Sequence, residues 1–190
     1  MCLIKYYINK SKSVIFTLVV FTITLISFNI KADQTHPDLD ILFKDLRSPE
    51  VDIISTESEI WNAWLHHDSP VVTKFMNSAL DSLKKGEFML AIARFTKVIK
   101  LDPKYAEAWN KRATTYYLLG NFNSSIADIV ETLKLEPRHF GALSGLAMIQ
   151  NYMGNKKAAI EALSQAINIH PFMSLNSSLK EIKKDIGEEI

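Results

Sequence analysis

Residues 106–139 read AEAWNKRATTYYLLGNFNSSIADIVETLKLEPRH, and the spacing within them decides the fold. Trp109, Ala113, Tyr116 and Tyr117 fall at i, i+4, i+7 and i+8, the stripe of a helix with one face turned inward. Gly120 breaks that helix, because glycine takes the left-handed conformation at little steric cost. Phe122, Ile126, Ile129, Leu133 and Leu135 build a second helix. Pro137 stops it: proline has no N–H to donate and disfavours helical geometry at Glu136.

Outward from this stretch the same punctuation returns. Gly86, Gly120 and Gly154, and likewise Pro103, Pro137 and Pro171, recur at intervals of 34 residues. A fixed period of that length marks a repeat array. The units run 72–105, 106–139 and 140–173. Ala79, Ala113 and Ala147 share one position of the first helix; Ala91, Ser125 and Ala159 share one of the second. Small side chains there let paired helices approach closely. Phe95, Ile129 and Leu163, with Ile92, Ile126, Ile160 and Ile99, Leu133, Ile167, are the expected filling between units. Burying one such side chain contributes roughly 1.5–3 kcal/mol. Ordering the backbone costs about 1–2 kcal/mol per residue. A lone unit is therefore unstable, and stacking is what makes the array fold.

Trp109, Ala113, Tyr116, Gly120, Phe122, Ser125, Ile129 and Pro137 resemble the tetratricopeptide repeat signature, and the period agrees. The outer units depart from it: Ser82 and Gln150 replace Tyr116, and Lys156 replaces Phe122. A narrower resemblance, carried by residues 109–114 and 135–143, is to exported repeat proteins of alphaproteobacteria. The resemblance implies an all-α, right-handed α-α superhelix of three helix-turn-helix units. Its first helices line the concave side. Carried over singly, the family's groove positions are Met76, Leu80 and Leu83, then Asn110, Thr114 and Tyr117, then Ser144, Met148 and Asn151. This mixture of apolar and neutral polar groups implies a short extended peptide or a helix of another protein as ligand. One subfamily clamps a terminal carboxylate with basic residues. Met76, Leu80, Gly141 and Gly145 stand at its clamp positions here, so a chaperone-tail adaptor is not expected.

The flanks carry their own signals. Lys5, Lys10 and Lys12 precede a mainly apolar run, Val14 to Phe28, and no acidic residue occurs before Asp33. The run is shorter than the roughly 20 residues of a membrane span, which predicts a signal peptide over 1–32, with a cleavable end at Ile30-Lys31-Ala32. The alternative is an uncleaved anchor. Cleavage would leave 18 basic against 21 acidic residues, a net charge of −3. No basic stripe for nucleic acid emerges, and the sole cysteine, Cys2, lies in the leader.

Residues 33–71 are expected to form a linker and capping helices over the exposed end of the first unit. One helix ends near Arg47, and a second starts at Ser48-Pro49 and carries Ile60, Trp61, Trp64 and Leu65. Trp61 and Trp64 lie one period before Phe95 and Val98, as in a degenerate half-repeat. Ser69-Pro70 opens the array by the same device. At the other end, Ser178 to Glu181 fits a capping box, and Leu175, Leu179, Ile182 and Ile186 form the apolar face of a helix over 174–190 that covers the third unit.

Catalytic chemistry finds no foothold. His66 and His67 are adjacent and point roughly 100° apart on a helix, too divergent to share a metal. His36, His139 and His170 are isolated in sequence, the last two beside turns. Neither a nucleophile elbow nor a phosphate-binding loop occurs. Glu57 and Glu59 read as surface carboxylates. Arg112 faces inward opposite Asp128, which predicts an ion pair within the second unit; the alternative is that Arg112 reaches a ligand carboxylate.

The expectation is a non-enzymatic exported module, periplasmic or secreted, that binds another protein without cofactor, metal or nucleic acid. The alternatives are a secreted effector engaging a host protein and, if residues 14–30 are retained, a membrane-tethered assembly factor.

Overall fold

The computed structural model describes residues 38–187; the leader expected over 1–32 lies outside them. Every regular element among the described residues is an α-helix. Two short elements come first, α1 (Leu39–Asp45) and α2 (Ile53–Leu65). The array follows as α3 (Pro70–Lys84), α4 (Phe88–Leu101), α5 (Ala106–Leu118), α6 (Phe122–Leu135), α7 (Phe140–Tyr152) and α8 (Lys156–Ile169). A last helix, α9, spans Asn176–Asp185.

Local chemistry sets most boundaries. Gly120 has φ 71°, the left-handed turn that reverses the chain between α5 and α6, and Gly86 and Gly154 do the same in their units. The Ser69 hydroxyl accepts the Val72 N–H at the start of α3, with Pro70 in the first turn. Two boundaries differ from expectation. Helix α2 starts at Ile53 rather than at Ser48-Pro49, because Asp52 accepts N–H bonds from Ile54 and Ser55 at 3.1 and 3.3 Å. The Asp52 carboxylate accepts both as charge-assisted bonds, stronger than those a neutral serine hydroxyl accepts. Helix α9 starts at Asn176, so Ser178 sits inside it and the capping box does not form.

The helices pair as α3–α4, α5–α6 and α7–α8. Each second helix then packs on the first helix of the next unit, and neighbouring first helices touch. This is an all-α solenoid. The matched small residues Ala79, Ala113, Ala147, Ala91, Ser125 and Ala159 are all buried. Ser125 also donates to the Ala113 carbonyl at 2.8 Å, tying α6 to α5. Beyond α8, Leu175, Leu179 and Ile182 of α9 pack on the core of the third unit.

The hairpin α1–α2 is placed differently from the cap expected of it. A half-repeat helix would lie along α3. Instead Trp64, Ile60 and Phe43 form one apolar cluster with Phe140, Ile169 and Met173 of the third unit. Only the end of α2 meets the first unit, where Leu65 packs on its core and Tyr105 Oη donates to the Leu65 carbonyl at 2.8 Å. Burial raises the Tyr105 phenol well above its usual range. The physical reason for the placement is the two indoles. Each ring has roughly 150–250 Å² to bury, and both pack on His139 and Phe140 at the start of α7.

Candidate functional site

The concave face is built from α3, α5 and α7, and its two inter-unit junctions differ. At the first, Met76 is buried in the core of its own unit, beside Tyr105 and Ala108. Leu80 and Leu83 are half-buried on the same core. Met76 is thus taken up by packing, and Leu80 and Leu83 contribute to it. A long unbranched side chain at Met76 fills space that Asn110 and Ser144, its counterparts one and two periods on, leave open.

At the second junction a cavity of about 240 Å³ lies between α5 and α7. Asn110, Thr114, Tyr117, Ser144 and Met148 all line it, so five of the nine candidate positions come together. Asn151 does not; its side-chain oxygen accepts from Lys156 Nζ at 2.8 Å. Gly141 and Gly145 both line the cavity, and the absent side chain at Gly145 leaves it room. Their counterparts one period earlier are Glu107 and Lys111. At Gly141 the Trp61 indole takes the place of a side chain, whereas at Gly145 the place stays open. In the sequence those glycines stand out only as an absent clamp; what their smallness opens appears in three dimensions.

The polar groups around the cavity are largely committed. Thr114 donates to the Asn110 carbonyl at 3.0 Å, and Ser144 donates to the Phe140 carbonyl at 2.7 Å. The Asn110 amide nitrogen donates to Glu107 Oε2 at 3.0 Å. Glu107 is fully buried and also takes the Lys111 ammonium at 2.8 Å and a hydrogen bond from His139 Nε2 at 2.9 Å. Burial by itself would raise the Glu107 carboxyl; the His139 bond and the Lys111 charge outweigh it and hold the group below the usual carboxylate range. His139 Nδ1 accepts the Ala142 N–H at 3.1 Å, so its proton sits on Nε2 and the ring caps α7.

His139 also anchors the hairpin. Trp64 stacks on it at 4.0 Å with planes 10° apart, and Trp61 meets it edge-on at 5.6 Å. Lys111 lies over the Trp61 ring at 5.1 Å. Trp61 covers Gly141 so closely that a Cβ there would come within 2.5 Å of the indole. Polar latches surround these rings. Glu57 pairs with His170 at 3.3 Å, Arg138 with Asp40 at 2.6 Å, and Arg47 donates to the Asn168 carbonyl at 2.9 Å. The hairpin thus covers the α7 start of the concave face and leaves the cavity beyond it open.

His139 and His170, isolated in sequence, are both buried and paired, and Glu57 is a latch rather than a bystander. The period carried a signal: His139 occupies the place of Tyr105, an inward position. His66 and His67 bond to Asp68 and Asp102 at 3.1 and 3.0 Å. Among the described residues no cluster of three His, Cys, Asp or Glu side chains could hold a metal ion, and no helix is long and apolar enough to cross a membrane.

In the second unit Arg112 makes the expected pair with Asp128. Its Nε and Nη2 atoms reach the two carboxylate oxygens at 2.7 and 2.8 Å, and Nη1 donates to Thr96 Oγ1 at 2.9 Å. The Asp128 hydrogen bonds raise the guanidinium further above its ordinary value. Its role is structural, bridging three helices.

Models of this repeat family match along the array: one described as "TPR repeat" over residues 82–120, another described as "Tetratricopeptide repeat" over 106–139 and 141–172. Residues 82–172 carry tetratricopeptide repeats. A TPR repeat-containing protein of Rhizobium etli is 36% identical over 87 residues, covering 44% of this chain and 42% of the relative. The chain thus spans under half the length of that curated relative. Among solved structures, the first TPR domain of Spaghetti (RPAP3), solved with the HSP90 peptide SRMEEVD, matches with TM-score 0.60 at 19% identity. That match covers 65% of this chain and 98% of the domain. MamA protein matches with TM-score 0.57 at 28% identity, covering 62% of this chain and 64% of that one. These likenesses agree with the solenoid described above. The repeats and the cavity between the second and third of them form the candidate site.

Proposed function

We propose that this chain is a non-enzymatic protein-interaction module whose concave face, at the α5–α7 cavity, binds a helix or peptide segment of another protein. The observation that carries this reading is the convergence of Asn110, Thr114, Tyr117, Ser144 and Met148 on one open cavity. A solved neighbour of the same fold holds a peptide, which supports the class of ligand. Tyr117 and Met148 supply apolar contact area that can adapt to a partner.

The module works outside the cytoplasm, in the periplasm or beyond it, on the reading of residues 14–28 as the apolar core of a signal peptide. Two measurements test the proposal. A chemically cross-linked native pull-down from envelope extract recovers a stoichiometric partner that is lost in a Tyr117→Ala/Met148→Ala variant with unchanged helical signal and Tm. No partner dependent on those side chains removes the reading. Mass-spectrometric mapping of the mature N-terminus places it near Asp33; an intact Met1 start retained in the membrane fraction would instead make the chain a tethered factor.

A further inference from the structure

Resting on the reading of the concave face as a protein-binding surface, we infer what that face takes. The α5–α7 cavity receives one uncharged, apolar side chain of leucine, methionine or phenylalanine size, presented by an amphipathic helix of a partner protein, and it excludes a terminal carboxylate.

Hydrogen-bond accounting carries the exclusion. The hydroxyl protons of Thr114, Ser144 and Ser125 are each given to a backbone carbonyl of their own hairpin or helix, and one of the two Asn110 amide protons goes to Glu107; the other and the Tyr117 hydroxyl are the side-chain donors that remain. A carboxylate entering here loses its water and meets at most these two neutral donors, too few to offset the desolvation of a charged group. No cation lines the cavity. The nearest basic groups are spent: Lys111 on Glu107 and Trp61, Arg112 on Asp128. What remains on the cavity wall is mostly apolar surface with a few neutral polar groups, which suits an apolar side chain.

Size points the same way. Sites for whole small molecules run roughly 300–1,000 Å³, and this cavity, at about 240 Å³, suits a single anchoring side chain. The choice of a helix comes from the adjoining intramolecular contact. Gly141 lines the cavity and is also the residue on which Trp61 of α2 rests. This face therefore already holds an aromatic-bearing helix at one end of the cavity, and a partner helix continues that contact. At the opposite rim Phe122 lies 5.9 Å from the Tyr117 ring and 4.9 Å from the Tyr152 ring. Tyr152 is 76% and Met148 54% exposed, an apolar lip from which the partner enters.

The test is selection of a displayed random 15-residue library, with free carboxyl ends, on the full chain and on a Gly145→Leu variant. The synthetic peptide SRMEEVD serves as the carboxylate probe. A Cβ at Gly145 meets only Ile129 Cδ1, at 3.7 Å, so the added side chain grows into the cavity. Gly145→Ala and Tyr117→Ala provide a second pair should the leucine disturb folding, which circular dichroism and Tm report. The expected result is enrichment of peptides with an apolar residue on one helical face, bound at least tenfold less tightly by Gly145→Leu, with SRMEEVD at least tenfold weaker than they are. Enrichment of acid-terminated peptides, tighter binding of SRMEEVD, or equal affinity for both proteins overturns the apolar anchor while leaving a protein-binding face. No enriched peptide at all removes the underlying reading as well.

Discussion

Gly145 concentrates the trade between stability and binding in one position. It lies inside α7 without a positive φ, where glycine costs about 0.5–1 kcal/mol relative to alanine. Gly145→Ala is accordingly expected to stabilise the fold by about that amount in urea unfolding, while narrowing the cavity. A loss of stability would mean the helix needs the gap. Arg112 belongs to the same scale with the opposite sign. Its forked pair with Asp128 is mostly shielded from water, so Arg112→Ala leaves a buried carboxylate unpaired and is expected to cost about 3 kcal/mol in chemical denaturation. That pairing is legible in the sequence, because the repeat period aligns the two residues on facing helices of one hairpin. The Glu107–His139 pair is not. Its partners come from different units, 32 positions apart, and nothing in local periodicity joins them.

At the level of elements, the α1–α2 hairpin is held by Trp61 and Trp64 on the start of α7. Gly141→Val is expected to drive a Cβ into the Trp61 ring, which is wedged by Phe140, His139 and Lys111. Overpacking of this kind costs roughly 1–3 kcal/mol. Tryptophan emission shifts to the red and protease cuts appear within 39–65, while the helical signal of the repeats persists. Unchanged emission would place Trp61 elsewhere. Acid should loosen the same junction. Glu107 has a folded-state pKa below its ordinary 4.5, so its contribution is complete above that value and is lost as the pH falls through 4.5 towards the folded-state value. A Tm series from pH 7 to pH 3 is expected to show a steeper acid decline in the parent protein than in Glu107→Gln, which has no such proton to take up.

For the molecule as a whole, the question is what a three-unit solenoid does with its two open ends and its concave face. Helix α9 covers one end with Leu175, Leu179 and Ile182, and α1–α2 lies across the start of the third unit instead of the outer face of the first. Deleting residues 33–68 uncovers Phe140 and His139, both fully buried in the intact chain, and Phe140 alone is worth roughly 1.5–3 kcal/mol of burial. The truncated chain is expected to unfold at markedly lower denaturant and to self-associate in sedimentation; a monomer of parental stability would mean that the hairpin is dispensable.

The period, the glycine turns, the helix pairs and the small-residue register were determined by the sequence alone, because each depends on residues within one hairpin or on a fixed 34-residue offset. The resting place of α1–α2, the burial of Met76, the seat of Trp61 on Gly141 and the cavity beside Gly145 were decided only in three dimensions. They depend on which large side chains meet which small ones across units, and such complementarity is a property of packed surfaces that spacing along the chain does not encode.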